Sequence, residues 1–144
     1  MVIKTEQALK NELATDAPRG VYLLFGDDAT LLLSCRRRML ARLCGDQGQP
    51  ERFDAKKPDV ARLSESLSLL PMLGNRRVVW LEGLDPEGLS DSDCAALCAL
   101  IGEIPEGACL LITAKEGALD PKKGRQAKKL LEAADRAGAA IELP

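Results

Sequence analysis

The sequence predicts an α/β fold in which a parallel five-stranded sheet carries helices on both faces. Two observations predict it. Three apolar runs, 21–25, 78–81 and 109–113, have the length and apolar character of strands buried in a sheet. Between them, apolar residues recur three and four apart, as on helices that pack by one face. Strands alternating with helices at this spacing form a parallel sheet with right-handed crossovers. Five strands and five helices are expected. Strand order does not follow from spacing.

The composition narrows the function classes. At 144 residues the chain is one domain with room for a real core. Its 20 basic and 22 acidic side chains nearly cancel, so no global field draws it to nucleic acid or membrane. Histidine is absent, which excludes Ser-His and Cys-His catalysis and histidine-ligated metals. Five cysteines without framework spacing, and no signal peptide, suit a reducing cytoplasm. Aromatic residues are too sparse for a base-stacking platform. The longest apolar run falls far short of a membrane span.

Taken in order, Lys4 to Leu13 suits a short surface helix, broken by Asp16-Ala17-Pro18-Arg19-Gly20. Val21–Phe25 is the first strand and Gly26 ends it. A helix follows from about Ala29 to Leu43, with Asp28 as N-cap, Leu32, Cys35, Met39 and Leu43 on one side, and Gly45 at the stop. Arg36-Arg37-Arg38 point in different directions on that helix and are read as an exposed face. Gln47 to Gln49 is a loop, and Glu51-Arg52-Phe53-Asp54 a short edge strand. Pro58 is placed in the first turn of a helix whose stripe is Val60, Leu63, Leu67 and Leu70, stopped by Pro71. Met72-Leu73-Gly74-Asn75 is a turn, Val78-Val79-Trp80-Leu81 a strand, and Glu82-Gly83-Leu84-Asp85-Pro86 turns away from it. Ser90 and Ser92 are candidate N-caps of a helix bearing Cys94, Leu97, Cys98 and Ile101. After the Cys109–Thr113 strand, a basic amphipathic helix carries Ala127, Leu130, Leu131 and Ala134. Gly138 stops it before a final strand, Ala139–Leu143.

A strand, a glycine turn and a helix are the scaffold of a phosphate-binding loop. Laid over G-x-x-x-x-G-K-[ST] from Gly26, the second glycine is Leu31, the lysine Leu32 and the Ser/Thr Leu33. Asp27 and Asp28 put negative charge where a polyphosphate would lie. The site reads as a nucleotide-binding scaffold without nucleotide chemistry, so no catalytic residue, cofactor or metal is expected. Glu82, after its strand, falls where such proteins keep a magnesium-binding acid, a pattern common at the end of any buried strand. Cys94 and Cys98 are one helical turn apart but lack further ligands, so apolar packing is the expectation. Lys122, Lys123, Arg125, Lys128 and Lys129 form the strongest basic cluster, read as a solvated helix face. Met72 and Leu73, two large apolar residues on a turn, either fold back onto the sheet or fill a pocket in a partner. The residues alone favour folding back.

Five stretches in succession, VYLLFGDDATLL, RFDA, LSLLPMLGNRRVVWLEGLD, GACLLITAKEGALDPKK and KKLLEAADRAGAAIEL, resemble the N-terminal domain of the delta subunit of bacterial DNA polymerase III. The most specific is SLLPMLGNRRVVWL. The resemblance implies a clamp-loader subunit of AAA+ type with sheet order 5-1-4-3-2 and no working ATP site. It would be a non-catalytic subunit of a DNA-directed DNA polymerase, cytoplasmic and active in DNA replication. It further implies binding to the sliding clamp through a hydrophobic pair in the turn after the second main helix, here Met72 and Leu73. Leu70, Pro71 and Gly74 would support that pair, which reverses the preference for folding back. Family members commonly carry an aromatic residue in the pair, which Met72-Leu73 lacks. Members also have lid and collar domains, the collar meeting the other loader subunits. Residues 1–144 would then be the N-terminal domain alone, with DNA contact indirect or weak. Two rivals compete: a P-loop-like nucleotide-binding enzyme with an unconventional site, and a response-regulator-like domain using Asp27, Asp28, Glu82 and Lys115.

Overall fold

In the computed structural model, which describes residues 1–45, 49–69 and 76–143, the strands form one parallel sheet with helices on both faces. The strands are β1 (Val2–Ile3), β2 (Val21–Gly26), β3 (Glu51–Asp54), β4 (Arg77–Leu84), β5 (Ala108–Ala114) and β6 (Ala139–Leu143). Their order is β1-β6-β2-β5-β4-β3, and every neighbouring pair is parallel. The sheet therefore has six strands where five are expected from sequence. The extra one, β1, is only two residues long and has no periodicity to reveal it; it adds to the outer edge of β6. Without it the order is the 5-1-4-3-2 that the family resemblance implies.

Among the described residues five helices flank the sheet: α1 (Glu6–Leu13), α2 (Ala29–Cys44), α3 (Val60–Leu67), α4 (Asp91–Ile101) and α5 (Arg125–Ala137). Alternation along the strands sorts the core into two layers. Tyr22, Leu24, Val78, Cys109, Leu111 and Ile141 face α1 and α2 and pack on Leu9, Cys35, Met39 and Leu43. Val21, Leu23, Val79, Leu81, Leu110 and Ile112 face the other side and pack on residues of α3, α4 and α5. Central β5 is buried at all seven positions, as a strand covered on both faces must be. Tyr22 ties α1 to this core. Its hydroxyl donates to Glu12 Oε1 (3.0 Å) and accepts from the Arg19 backbone N–H (2.9 Å), and burial pushes its ionisation well above the ordinary phenol range.

Several local expectations need correction. Pro58 precedes the N-cap instead of lying in the first turn: Asp59 is the cap and accepts from Arg62 N at 3.1 Å. α3 ends at Leu67, before the expected Leu70, because Ser68 and Leu69 turn off with i−3 hydrogen bonds to Glu65 O and Ser66 O. β4 runs on through Glu82 to Leu84 where a turn is expected from Glu82. Gly83 (φ 80°) supplies the positive φ that lets the strand shift register between Glu82 and Leu84 and continue. Ser90, not Ser92, caps α4, accepting from Asp93 N at 3.0 Å.

Candidate functional site

Two regions of the sheet's ends bear on function. At the carboxyl end, β2 leads through Gly26 and Asp27 into α2, as the phosphate-loop scaffold requires. Asp28 is the N-cap of α2, and its Oδ1 accepts from Leu31 N at 3.1 Å, answering one of the helix's free donors itself. Gly26 O accepts from Gly117 N at 2.9 Å, so the loop after β5 is tied to the turn. A side chain at Gly26 would place its Cβ 2.7 Å from Leu143 O, which explains glycine there independently of any ligand. Leu31, Leu32 and Leu33 are all half-buried, and Leu32 and Leu33 line a crevice with Leu24, Arg36, Glu82, Thr113 and Lys115.

Beside that crevice lies a polar cluster that sequence reasoning misses. Register places Arg52 beside Trp80 and Glu82 beside Thr113 on the α2 face of the sheet. Trp80 Nε1 donates to Thr113 Oγ1 (3.0 Å), and the guanidinium carbons of Arg36 and Arg52 lie 4.8 and 5.9 Å from the indole centroid. Arg36 is half-buried, unlike the exposed Arg37 and Arg38, so the reading of all three as one exposed face fails at Arg36. It shares the side of α2 occupied by Leu32, Met39 and Leu43, a periodicity legible in the sequence. Arg52 Nε donates to Glu82 Oε2 at 2.9 Å. That hydrogen bond holds the Glu82 carboxyl below its usual range, against an opposing push from burial. Glu82 thus answers an arginine of the neighbouring strand.

At the amino end, α3 is followed by Leu69, which is 57% exposed, and β4 is preceded by Arg76. Leu70, Pro71, Met72, Leu73 and Gly74, the expected clamp-binding set, lie outside the described residues, as do Gln47 and Asn75. The two flanks are firmly tied. Arg77 Nε donates to Ser66 O (2.9 Å), its Nη2 donates to Ser66 Oγ (2.7 Å) and contacts the Glu51 carboxylate, and Ser66 Oγ donates to Glu51 Oε2 (2.6 Å). Arg76 Nη1 donates to Leu43 O at the end of α2 (3.2 Å). Arg76 is thereby held to the end of α2, and Arg77 at the start of β4 is held to the last turn of α3 and to β3.

Cys94 is buried and Cys98 half-buried; burial raises both thiols, Cys98 to about 11, so they are protonated at neutral pH. Burial likewise raises Cys109 to about 12. Among the described residues no group of three or more His, Cys, Asp or Glu could hold a metal ion. Lys122, Lys123, Arg125, Lys128 and Lys129 are all exposed, and Arg125 pairs with Asp91 at 3.5 Å. No helix among the described residues is long and apolar enough to cross a membrane.

Sheet order, crossover helices and the β2–α2 turn define an AAA+-like α/β fold. Response-regulator-type sheets run 2-1-3-4-5, which this one does not. Residues 22–137 match the family described as DNA polymerase III, delta subunit, and the chain belongs to that family. Among solved structures, it is similar to the DNA clamp loader delta protein of Bacillus subtilis, with a TM-score of 0.67 and 18% identity over 93% of this chain and 41% of that one. It is also similar to a DNA polymerase III gamma subunit-related protein of Thermotoga maritima, with a TM-score of 0.63 and 14% identity over 96% of this chain and 45% of that one. The chain thus spans less than half the length of either structure. No curated protein matches it in sequence.

Proposed function

We propose that this chain is the clamp-binding domain of a non-catalytic clamp-loader subunit, and that Met72 and Leu73 are the anchor that engages the sliding clamp. The family match over residues 22–137 carries this reading. The bracing of Ser66, Arg76 and Arg77 on either side of the pair supports it, because a short segment held at both ends loses less entropy on docking. Leu70, Pro71 and Gly74 support the pair in this reading. Residues 1–144 act as one N-terminal domain, in the cytoplasm, and other loader subunits meet parts of the protein outside it.

An apolar anchor opens a closed ring only if it binds the opened or strained form better than the relaxed one. Burying two such side chains is worth about 3–6 kcal/mol gross, part of which association entropy consumes. ATP acts on neighbouring subunits in this reading. The capping of α2 by Asp28 and the contact of Gly26 O with Gly117 N support a turn that does not serve a phosphate. The test is clamp binding by the Met72→Ala/Leu73→Ala variant. A loss of at least about 2 kcal/mol, roughly 30-fold, is expected with the thermal midpoint nearly unchanged. Native affinity in the double variant, or calorimetric ATP binding by the chain, would overturn the reading.

A further inference from the structure

At the carboxyl ends of β2, β4 and β5 the crevice on the α2 side of the sheet has a volume of about 380 Å³. Leu24, Leu32 and Leu33 make its apolar wall, and Arg36 and Lys115 its cationic rim. Arg36 is the unusual member. Its Nε is buried with no hydrogen-bond partner among the described residues, and it forms no ion pair among them. Glu82 attracts it through space but makes no hydrogen bond to it, being bonded to Arg52. Arg36 lines the crevice with a positive charge that no ion pair among the described residues neutralises, which favours an anion entering there.

The lining also limits the anion. Glu82 and Glu116 on the rim oppose a polyanion, while a single carboxylate can pair with Arg36 beside Lys115. Three leucines require hydrocarbon next to that charge. We propose that this crevice binds a carboxylate carrying a branched apolar group, with Arg36 taking the charge and Leu24, Leu32 and Leu33 the hydrocarbon. The site lies at the opposite end of the sheet from Arg76 and Arg77, so it is independent of the clamp-binding reading. The same chemistry occurs in a free apolar acid and in a Glu-Leu pair of a protein segment.

Trp80 is the chain's single tryptophan, stacked against Arg36 and hydrogen-bonded to Thr113 of the crevice wall, so its emission and indole N–H resonance report occupancy. Titration with N-acetyl-leucinate is expected to give a saturable change with a Kd of about 1 mM, the scale for a fragment of this size. N-acetyl-leucine amide, which has the shape without the charge, is expected to bind at least about 10-fold more weakly. Arg36→Gln is expected to remove that difference, and Leu33→Asp, should Arg36→Gln fail to fold, to abolish binding of both probes. A peptide blocked at both ends with an internal Glu-Leu pair separates the sources. Tighter binding of the peptide assigns the crevice to a protein segment, and tighter binding of N-acetyl-leucinate to a free acid. Equal binding of acid and amide, undiminished acid binding in Arg36→Gln, or no saturable signal from any probe up to about 10 mM overturns the proposal.

Discussion

Arg77→Ala tests whether the flanks of the 70–75 segment are braced as described. The substitution removes the donor to Ser66 O and the donor to Ser66 Oγ, at 2.9 and 2.7 Å, together with the Glu51 contact. Ser66 is only 4% exposed, so its carbonyl loses a charged partner in a place water reaches poorly. Hydrogen bonds to charged groups contribute about 1.5–3 kcal/mol each, but these two share one guanidinium and do not add in full. The Glu51 side chain is 45% exposed, so its ion pair contributes at most about 1 kcal/mol. Ser66 Oγ also keeps its bond to Glu51. The net expectation is a loss of about 2–4 kcal/mol, which for a domain of this size lowers the thermal midpoint by roughly 5–12 °C. Arg77→Lys, which keeps the charge but not the fork, should fall between. Circular dichroism melts at low and high salt separate the parts, since salt screens the exposed Glu51 contact far more than the buried Ser66 bonds. Clamp affinity should fall in Arg77→Ala although Met72 and Leu73 are untouched. A midpoint shift below about 3 °C, or one that vanishes in high salt, refutes the bracing and leaves an ordinary surface ion pair.

Two further expectations concern stability. Asp28→Ala removes the α2 cap and should cost about 1 kcal/mol, or roughly 2–4 °C in the thermal midpoint, while Asp28→Asn should be nearly neutral. Alkaline pH should destabilise the chain through its buried thiols. Cys98 and Cys109 ionise at about 11 and 12 when folded, because burial disfavours the thiolate, but near the ordinary thiol value when unfolded. The unfolded state therefore binds fewer protons above about pH 8.5, and stability must fall from there towards the folded values. Denaturant melts from neutral pH to about pH 10.5 check this, and Cys109→Ala should flatten the slope. A pH-independent midpoint over that range would show that the thiols are not held protonated by the fold.

What was legible in the sequence is what local physics controls. Unbroken apolar runs and three-four spacing announce the main strands and helices, and Asp28, Ser90 and Gly45 mark helix ends because capping involves neighbours in the chain. The order of five quoted stretches carried the family, which the match over residues 22–137 bears out. Where the folded chain overrides local rules, the sequence was silent or misleading. A two-residue strand such as β1 exists only because the β6 edge offers it hydrogen-bond partners. Gly83, the residue after Glu82, looks like the start of a turn, yet β5 pairs with β4 as far as Leu84 and the glycine becomes a register shift inside a strand. The Arg36, Trp80, Arg52, Glu82 and Thr113 cluster is drawn from one helix and three strands, and only the register of β3, β4 and β5 brings it together. Alternation along one strand tells which residues share a face but not which strand lies beside it. The hydrogen bonds that pair strands join residues far apart in sequence, so it was tertiary structure that set Arg36 and Arg52 against Trp80 and Glu82 beside Thr113.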